Sequence, residues 1–311
     1  MVDDLIQGIK DKNIKYISKA ITLIENDYNS SLDILSDLYP INNQSHRIGI
    51  TGPPGAGKST ITNLIIKHFR KKNKSVAVLL VDPTSPYSNG AVLGDRIRMF
   101  NYYNDNNVFI RSFATRGSKG GLSKNINEIA NLLEAAKYDF ILFETVGVGQ
   151  VEIDVVEQVD SVVLTLVPES GDDIQMMKAG IIEIADIFVI NKSDRKDANK
   201  LYSSLKNMLS LIDINKQKEW FPRIVKTIAT EDKGIDKLIK TLIEHNKISN
   251  NNIKSKLALR YSKQVYEIIQ DRINREFWNS NRKKILNNEL NKSIKSRKSP
   301  MELIKQLMNN E

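Results

Sequence analysis

Apolar residues recur at helical intervals through the first forty positions: Leu5, Ile6 and Ile9, then Ile14, Ile17, Ile21 and Ile24, then Leu32, Leu35 and Leu38. This spacing predicts a prelude of two or three amphipathic helices, stopped by Pro40 and the polar run Asn42-Asn43-Gln44-Ser45. From His46 the period changes. Short apolar runs at 47–51, 75–81, 108–111, 140–144, 162–167, 187–191 and 224–227 read as strands, and stretches at 58–71, 124–136, 198–212 and 235–245 read as helices between them. The runs are apolar on both faces, the pattern of a mostly parallel α/β sheet covered by helices on either side. After Asn250 the strand signal ends. Leu257, Tyr261, Val265, Ile268, Ile269, Ile273 and Phe277 recur at helical spacing, and a last helix fits 301–308 behind Pro300. The expected organisation is a helical extension over 1–45, an α/β domain over 46–249 and a helical arm over 250–311.

Composition narrows the class. No apolar run approaches the roughly 18 residues of a membrane-spanning helix, and the chain opens Met1-Val2-Asp3-Asp4, without the basic segment of a signal peptide. There is no cysteine, which rules out disulfides, thiolate metal sites and cysteine nucleophiles together and fits a reducing compartment. The expectation is a cytoplasmic protein with no membrane partner. The formal charge is +9, but residues 251–311 hold fourteen Lys/Arg against six Asp/Glu, so eight of the nine positive charges lie in the arm. The α/β domain is close to neutral, and any argument for a polyanionic partner belongs to the tail.

Two short motifs carry the chemistry. Gly52-Pro-Pro-Gly-Ala-Gly-Lys58-Ser59 follows the first strand and opens a helix, as a phosphate-cradling P-loop requires. Gly52, Gly55, Ala56, Gly57, Lys58, Ser59 and Thr60 are the expected phosphate-binding residues, with Lys58 on the outer phosphates and the Ser59 hydroxyl on Mg²⁺. Asn191-Lys192-Ser193-Asp194 follows a later strand. The Asp194 carboxylate can accept from guanine N1–H and the 2-amino group as a pair, whereas adenine lacks both donors. Asn191 and Lys192 belong to the same base-reading loop, and Ala229, after the last strand, offers a backbone N–H to the guanine oxygen. The expected ligands are therefore GTP and GDP with Mg²⁺, on a P-loop GTPase fold. Carboxylates beside such a loop suit Mg²⁺, which takes few direct protein ligands. Asp82 and Glu144 at strand ends, and Asp95 further on, are the candidates. Gly147 has the place of a backbone donor to the γ-phosphate, making its loop a nucleotide-sensing switch.

Longer stretches add a resemblance. Val81-Asp-Pro-Thr-Ser-Pro, Gly94-Asp-Arg-Ile-Arg-Met99, Arg111-Ser-Phe-Ala-Thr-Arg-Gly117, Gly120-Gly-Leu122, Glu144-Thr-Val-Gly-Val-Gly-Gln150, Gly171-Asp-Asp-Ile-Gln175 and Lys178-Ala-Gly180, in that order, resemble the MeaB/ArgK family of P-loop GTPases. The match runs from about residue 47 to 235 and departs at Asn89 and at Glu169-Ser170. The resemblance implies a slow GTPase that chaperones an adenosylcobalamin-dependent acyl-CoA mutase of the methylmalonyl-CoA mutase type, gating cofactor loading and protecting the mutase. It implies a homodimer built through the carboxy-terminal arm. It also implies that Asp82, Asp95 and Glu144 form the Mg²⁺ and catalytic-water environment and that Lys178 lies in a partner-sensing switch loop. An alternative label carried by some relatives is a nucleotide-hydrolysing protein tied to lysine, arginine and ornithine transport. Asp194 and the absence of a spanning segment oppose it. A nucleic-acid partner for the basic arm is the weakest reading, since Tyr261, Tyr266, Phe277 and Trp278 at helical spacing fit a core or dimer interface.

Overall fold

The computed structural model describes residues 2–26, 28–39, 45–82, 102, 104–114, 126–145, 158–168, 184–212, 219–249, 251 and 253–309. The chain divides into two compact units, Met1–Asn252 and Ile253–Glu311. The first opens with three helices, α1 (Val2–Lys10), α2 (Ile14–Asn26) and α3 (Tyr28–Leu38). Strands β1 (His46–Thr51), β2 (Val76–Asp82), β3 (Val108–Ala114), β4 (Phe140–Thr145), β5 (Ser161–Leu166), β6 (Ile187–Ile190) and β7 (Arg223–Lys226) follow. Helices α4 (Lys58–Lys71), α5 (Ile126–Ala135), α6 (Ala198–Ile212) and α7 (Ile235–Ser249) lie among them. The seven strands form one sheet in the order β3-β2-β4-β1-β5-β6-β7, each neighbouring pair parallel. β1 is central, with β4 on one side and β5 on the other. The strand order reverses there, so the loop after β1 opens at the switch point where α/β sheets take their ligands.

Two-sided apolar strands account for the layers. Along β2, Val76, Val78 and Leu80 pack with Ile48, Ile50 and Leu142 against α4 and α7, while Ala77, Leu79 and Val81 face the opposite core. Each fully buried Ile or Leu contributes about 1.5–3 kcal/mol relative to exposure. The second core holds Ile129, Leu132 and Leu133 of α5 together with Ile9, Ile17, Ile21 and Ile24 of the prelude. Lys12 adds a polar tie, donating to the Ser75 hydroxyl at 2.9 Å, and Arg111 on β3 meets Glu25 on α2 at 2.5 Å. Helix α7 runs to Ser249, past the expected 245, because Ile248 still packs against the α4 side of the sheet.

Two polar networks brace the amino-terminal edge of the sheet. Arg47 is wholly buried in β1 and donates to Glu134 (2.8 Å), Asn127 (3.0 Å) and Asn131 (2.6 Å) of α5. The Ser161 hydroxyl lies between His46 Nε2 (2.7 Å) and His245 Nδ1 (2.6 Å), and His245 Nε2 lies 3.4 Å from Asp186.

The second unit consists of α8 (Ile253–Phe277), α9 (Ser280–Leu290) and α10 (Pro300–Asn309). Asn279 caps α9 by accepting from Arg282 N–H, and Ser299 with Glu302 forms a capping box at α10. Arg282 donates to the carbonyls of Phe277 and Leu307 and lies over the Phe277 ring, joining the three helices of this unit.

Candidate functional site

The loop after β1 is shaped by two glycines. Gly52 has φ 141°, and a Cβ there would stand 2.0 Å from the Thr165 carbonyl oxygen of β5. Gly57 has φ 90°, and its Cβ would stand 2.4 Å from Asn191 Nδ2. Any other residue would push the loop off the strand or off its neighbour. Gly57 is the N-cap of α4 without a side-chain cap, and the first turn of α4 carries no acid. The first-turn N–H groups and the positive end of the helix dipole are left to an anion. Lys58 opens α4, and its buried ammonium donates to the carbonyls of Gly52 (2.7 Å) and Pro53 (3.0 Å), inside the loop. Thr60 is exposed on the same turn.

Ser59 points its hydroxyl at the end of β4 and donates to Glu144 Oε1 at 2.6 Å. Both residues are buried, and Ile50 and Glu144 pair in the β1–β4 register. Next to them, Thr145 donates to the Thr51 hydroxyl at 3.0 Å. A hydroxyl and a carboxylate at the mouth of the phosphate loop are hard oxygen donors, the kind Mg²⁺ takes, so this pair fits the ion. Among the described residues no group of three His, Asp or Glu gathers as a metal cage. Asp82 ends β2, but its side chain lies outside the described residues, as do Asp95, Gly147 and Lys178 altogether.

Asn191 follows β6 and is buried, and it joins three segments. Its Nδ2 donates to Ala56 O of the phosphate loop at 2.9 Å. Its Oδ1 accepts from the Thr227 hydroxyl and from Ala229 N–H, both at 3.1 Å. Lys192, in left-handed backbone (φ 54°), donates to Gly55 O at 3.0 Å. Asp194, two residues on, is exposed at the rim. The structure thus brings Gly52, Gly55, Ala56, Gly57, Lys58, Ser59, Glu144, Asn191, Lys192 and Ala229 to one edge of the sheet. Ala229 N–H, expected to meet the guanine oxygen, here has Asn191 as its partner.

Sequence reasoning treated Asn191 as a base reader and overlooked its bracing role and the hydroxyl of Thr227. A hydroxyl residue at a strand end, two positions before Ala229, was the available signal for Thr227. The Ser59–Glu144 contact was foreshadowed only as two separate Mg²⁺ candidates.

Comparison with known proteins agrees with this geometry. The family model described as "Methylmalonyl Co-A mutase-associated GTPase MeaB" matches residues 17–282. A Pyrococcus horikoshii protein named as a GTPase is 45% identical over 274 residues, covering 86% of each chain. The mitochondrial methylmalonic aciduria type A homolog of Mus musculus is 33% identical over 295 residues, covering 89% of this chain and 71% of the mouse protein. A crystal structure titled as a LAO/AO transport system kinase superposes with a TM-score of 0.68 at 24% identity, covering 99% of this chain and 96% of that one, a likeness of fold.

Proposed function

Because the chain belongs to the family of methylmalonyl-CoA mutase-associated GTPases, MeaB, and hydrolyses GTP, we propose that its nucleotide cycle controls an adenosylcobalamin-dependent acyl-CoA mutase. GTP binding and hydrolysis gate delivery of the cobalamin cofactor and protect the mutase. The observation that carries the switch reading is the Ser59–Glu144 hydrogen bond at 2.6 Å. It joins the first turn of α4, which opens behind the phosphate loop, to the end of β4, so a change at the γ-phosphate would be felt at that strand end.

In the mechanism, the Lys58 ammonium and the N–H groups at the start of α4 stabilise charge on the transferring phosphoryl group and hold it in line. Ser59 and Glu144 would hold Mg²⁺, which would supply positive charge to the phosphates when bound. Asp194 accepts from guanine, Lys192 flanks the base, and Asn191 keeps their loop against the phosphate loop. By the resemblance, Asp82 and Asp95 would serve the metal and the attacking water, Gly147 would donate to the γ-phosphate, and Lys178 would sense the partner. Exposed apolar residues on α8, Leu259, Tyr266 and Ile273 among them, support a homodimer formed through the arm. No helix of the described residues is long and apolar enough to cross a membrane, and no feature of the site favours a role in amino-acid transport.

The test is capture of a purified adenosylcobalamin-dependent acyl-CoA mutase by this protein loaded with GDP or with a non-hydrolysable GTP analogue. The expected result is retention that differs between the two nucleotides, with the difference abolished by Ser59→Ala. Equal retention, or none, in both states sinks the switch reading.

A further inference from the structure

The segment that closes the base side of the site is fastened to the phosphate side at a second point, besides Asn191. It runs from Thr227 to Gly234 through the short 3-10 turn Ala229–Glu231, and closes on itself where Ile228 and Lys233 exchange backbone hydrogen bonds. Asp232 ends the turn in left-handed backbone (φ 57°), its own N–H on the Ala229 carbonyl. Its carboxylate accepts from Lys67 Nζ at 2.7 Å and lies 3.1 Å from His68 Nε2. The other nitrogen of the same ring lies 3.1 Å from Asp236 Oδ1, at the start of α7. Lys67 and His68 are adjacent on α4, the helix whose first residues are Lys58 and Ser59. One helix therefore holds the phosphate loop at its beginning and the base-side loop ten residues further on.

Burial is uneven across this contact, and the Lys67 side chain is 45% exposed. His68 is largely covered, with 12% of its side chain exposed, and Asp232 is 31% exposed. The neighbouring Glu231 and Lys233 are paired with each other, so Asp232 is the carboxylate of this turn that is committed to α4. Both partners also sit on backbone already fixed by other bonds, so little further ordering is needed to bring them together. The Lys67 hydrogen bond is the chief reason that the Asp232 carboxyl is held below its ordinary value of 3.8; partial burial opposes it and His68 adds to it.

We propose that Asp232 is a positioning residue of the nucleotide pocket: held by Lys67 and His68, it fixes the Thr227–Gly234 segment against α4 and keeps Ala229 and the Asn191 brace in register with the guanine base. The proposal rests on the reading of Asn191–Asp194 and Ala229 as the base site. The latch touches no phosphate, so its loss acts on binding and leaves chemistry at saturation alone.

The experiment uses the full-length protein, with GTP and GDP as the probes. The double variant Lys67→Ala/His68→Ala removes the donors and leaves the loop backbone untouched. Asp232→Asn keeps the tolerance for left-handed backbone and one acceptor oxygen. The expected result for the double variant is a rise of about fivefold in the KM for GTP and the Kd for GDP, with kcat at saturating GTP within about twofold of the parent. Asp232→Asn gives a smaller rise in the same constants, and combining all three changes goes no further than the double variant, as a single coupled contact requires. If the double variant does not fold, Asp232→Asn carries the measurement. Binding constants unchanged within about 1.5-fold, or a loss that falls on kcat with KM unmoved, overturn the proposal. Asp194→Asn, run alongside, separates the two levels. An unaltered guanine preference in that variant overturns the base-site reading and the proposal with it. A shift toward xanthine nucleotide together with unmoved KM in the latch variants overturns the latch alone.

Discussion

Asn191 commits both ends of its amide to protein partners, Ala56 on one side and Thr227 with Ala229 on the other. A methyl group at residue 57 would stand 2.4 Å from that amide nitrogen, in backbone with φ 90°. Gly57→Ala is therefore expected to separate the two halves of the pocket. It should cost roughly 2–3 kcal/mol of stability and weaken GDP by about tenfold, both measurable by thermal melting with and without GDP. Lys58→Ala removes the buried ammonium from the phosphate loop, and GTP turnover followed by phosphate release should fall by about 10²–10³-fold. At this scale the sequence was legible wherever chemistry is local. Lys58, Ser59 and Asp194 stand in short motifs whose spacing can be read along the chain. The contacts that hold the motifs together were not legible, since Asn191 and Ala56 are 135 positions apart and Lys67 and Asp232 are 165 apart. Nothing near either residue marks it as half of a pair.

Helix α5 carries partners of a guanidinium that β1 buries completely, and Glu134 supplies an opposing charge at 2.8 Å. Truncating Glu134 removes the carboxylate to which the buried Arg47 Nε donates. Glu134→Ala should lose about 3–5 kcal/mol, read as a lower denaturant midpoint in urea, while Arg47 replaced together with Glu134 by apolar residues should recover part of the loss. The turns that lead into β2, β3 and β4 are held by carboxylates instead. Burial alone would raise the Asp139 carboxyl, but hydrogen bonds from Lys74 and from the Ser75 backbone and hydroxyl outweigh it. Asp105 follows the same pattern, burial opposed by Arg70 and the Asn107 N–H. Both are held below 3.8 in the folded chain, so their stabilisation is complete at neutral pH and is lost as pH falls through and below about 4. Urea unfolding between pH 6 and 3 should show that loss, and Asp139→Asn should flatten it. The central strands were visible as two-sided apolar runs, because a parallel sheet covered on both faces leaves no polar alternation there, while the edge strands β3 and β7 carry Arg111, Arg223 and Lys226 among their apolar residues. Arg47 is the exception: its burial depends on three α5 side chains more than eighty residues on.

The phosphate loop, the base loop and the latch between them all lie within Met1–Asn252. A fragment ending at residue 252 is expected to bind GDP with an affinity within about twofold of the whole chain by calorimetry, and a large loss would show that the pocket needs the arm. The prelude has the opposite relation to the sheet. Ile17, Ile21 and Ile24 of α2 share their core with Ile129, Leu132 and Leu133 of α5, about a hundred residues later in the chain. On a ribosome adding about 5–20 residues per second, α1–α3 emerge before α5 and wait on the order of ten seconds for that surface. Until then their apolar stripes have one another for shelter, so helices made well before α5 complete their burial late. A chaperone that binds nascent apolar helices would find a long-lived target in α1–α3.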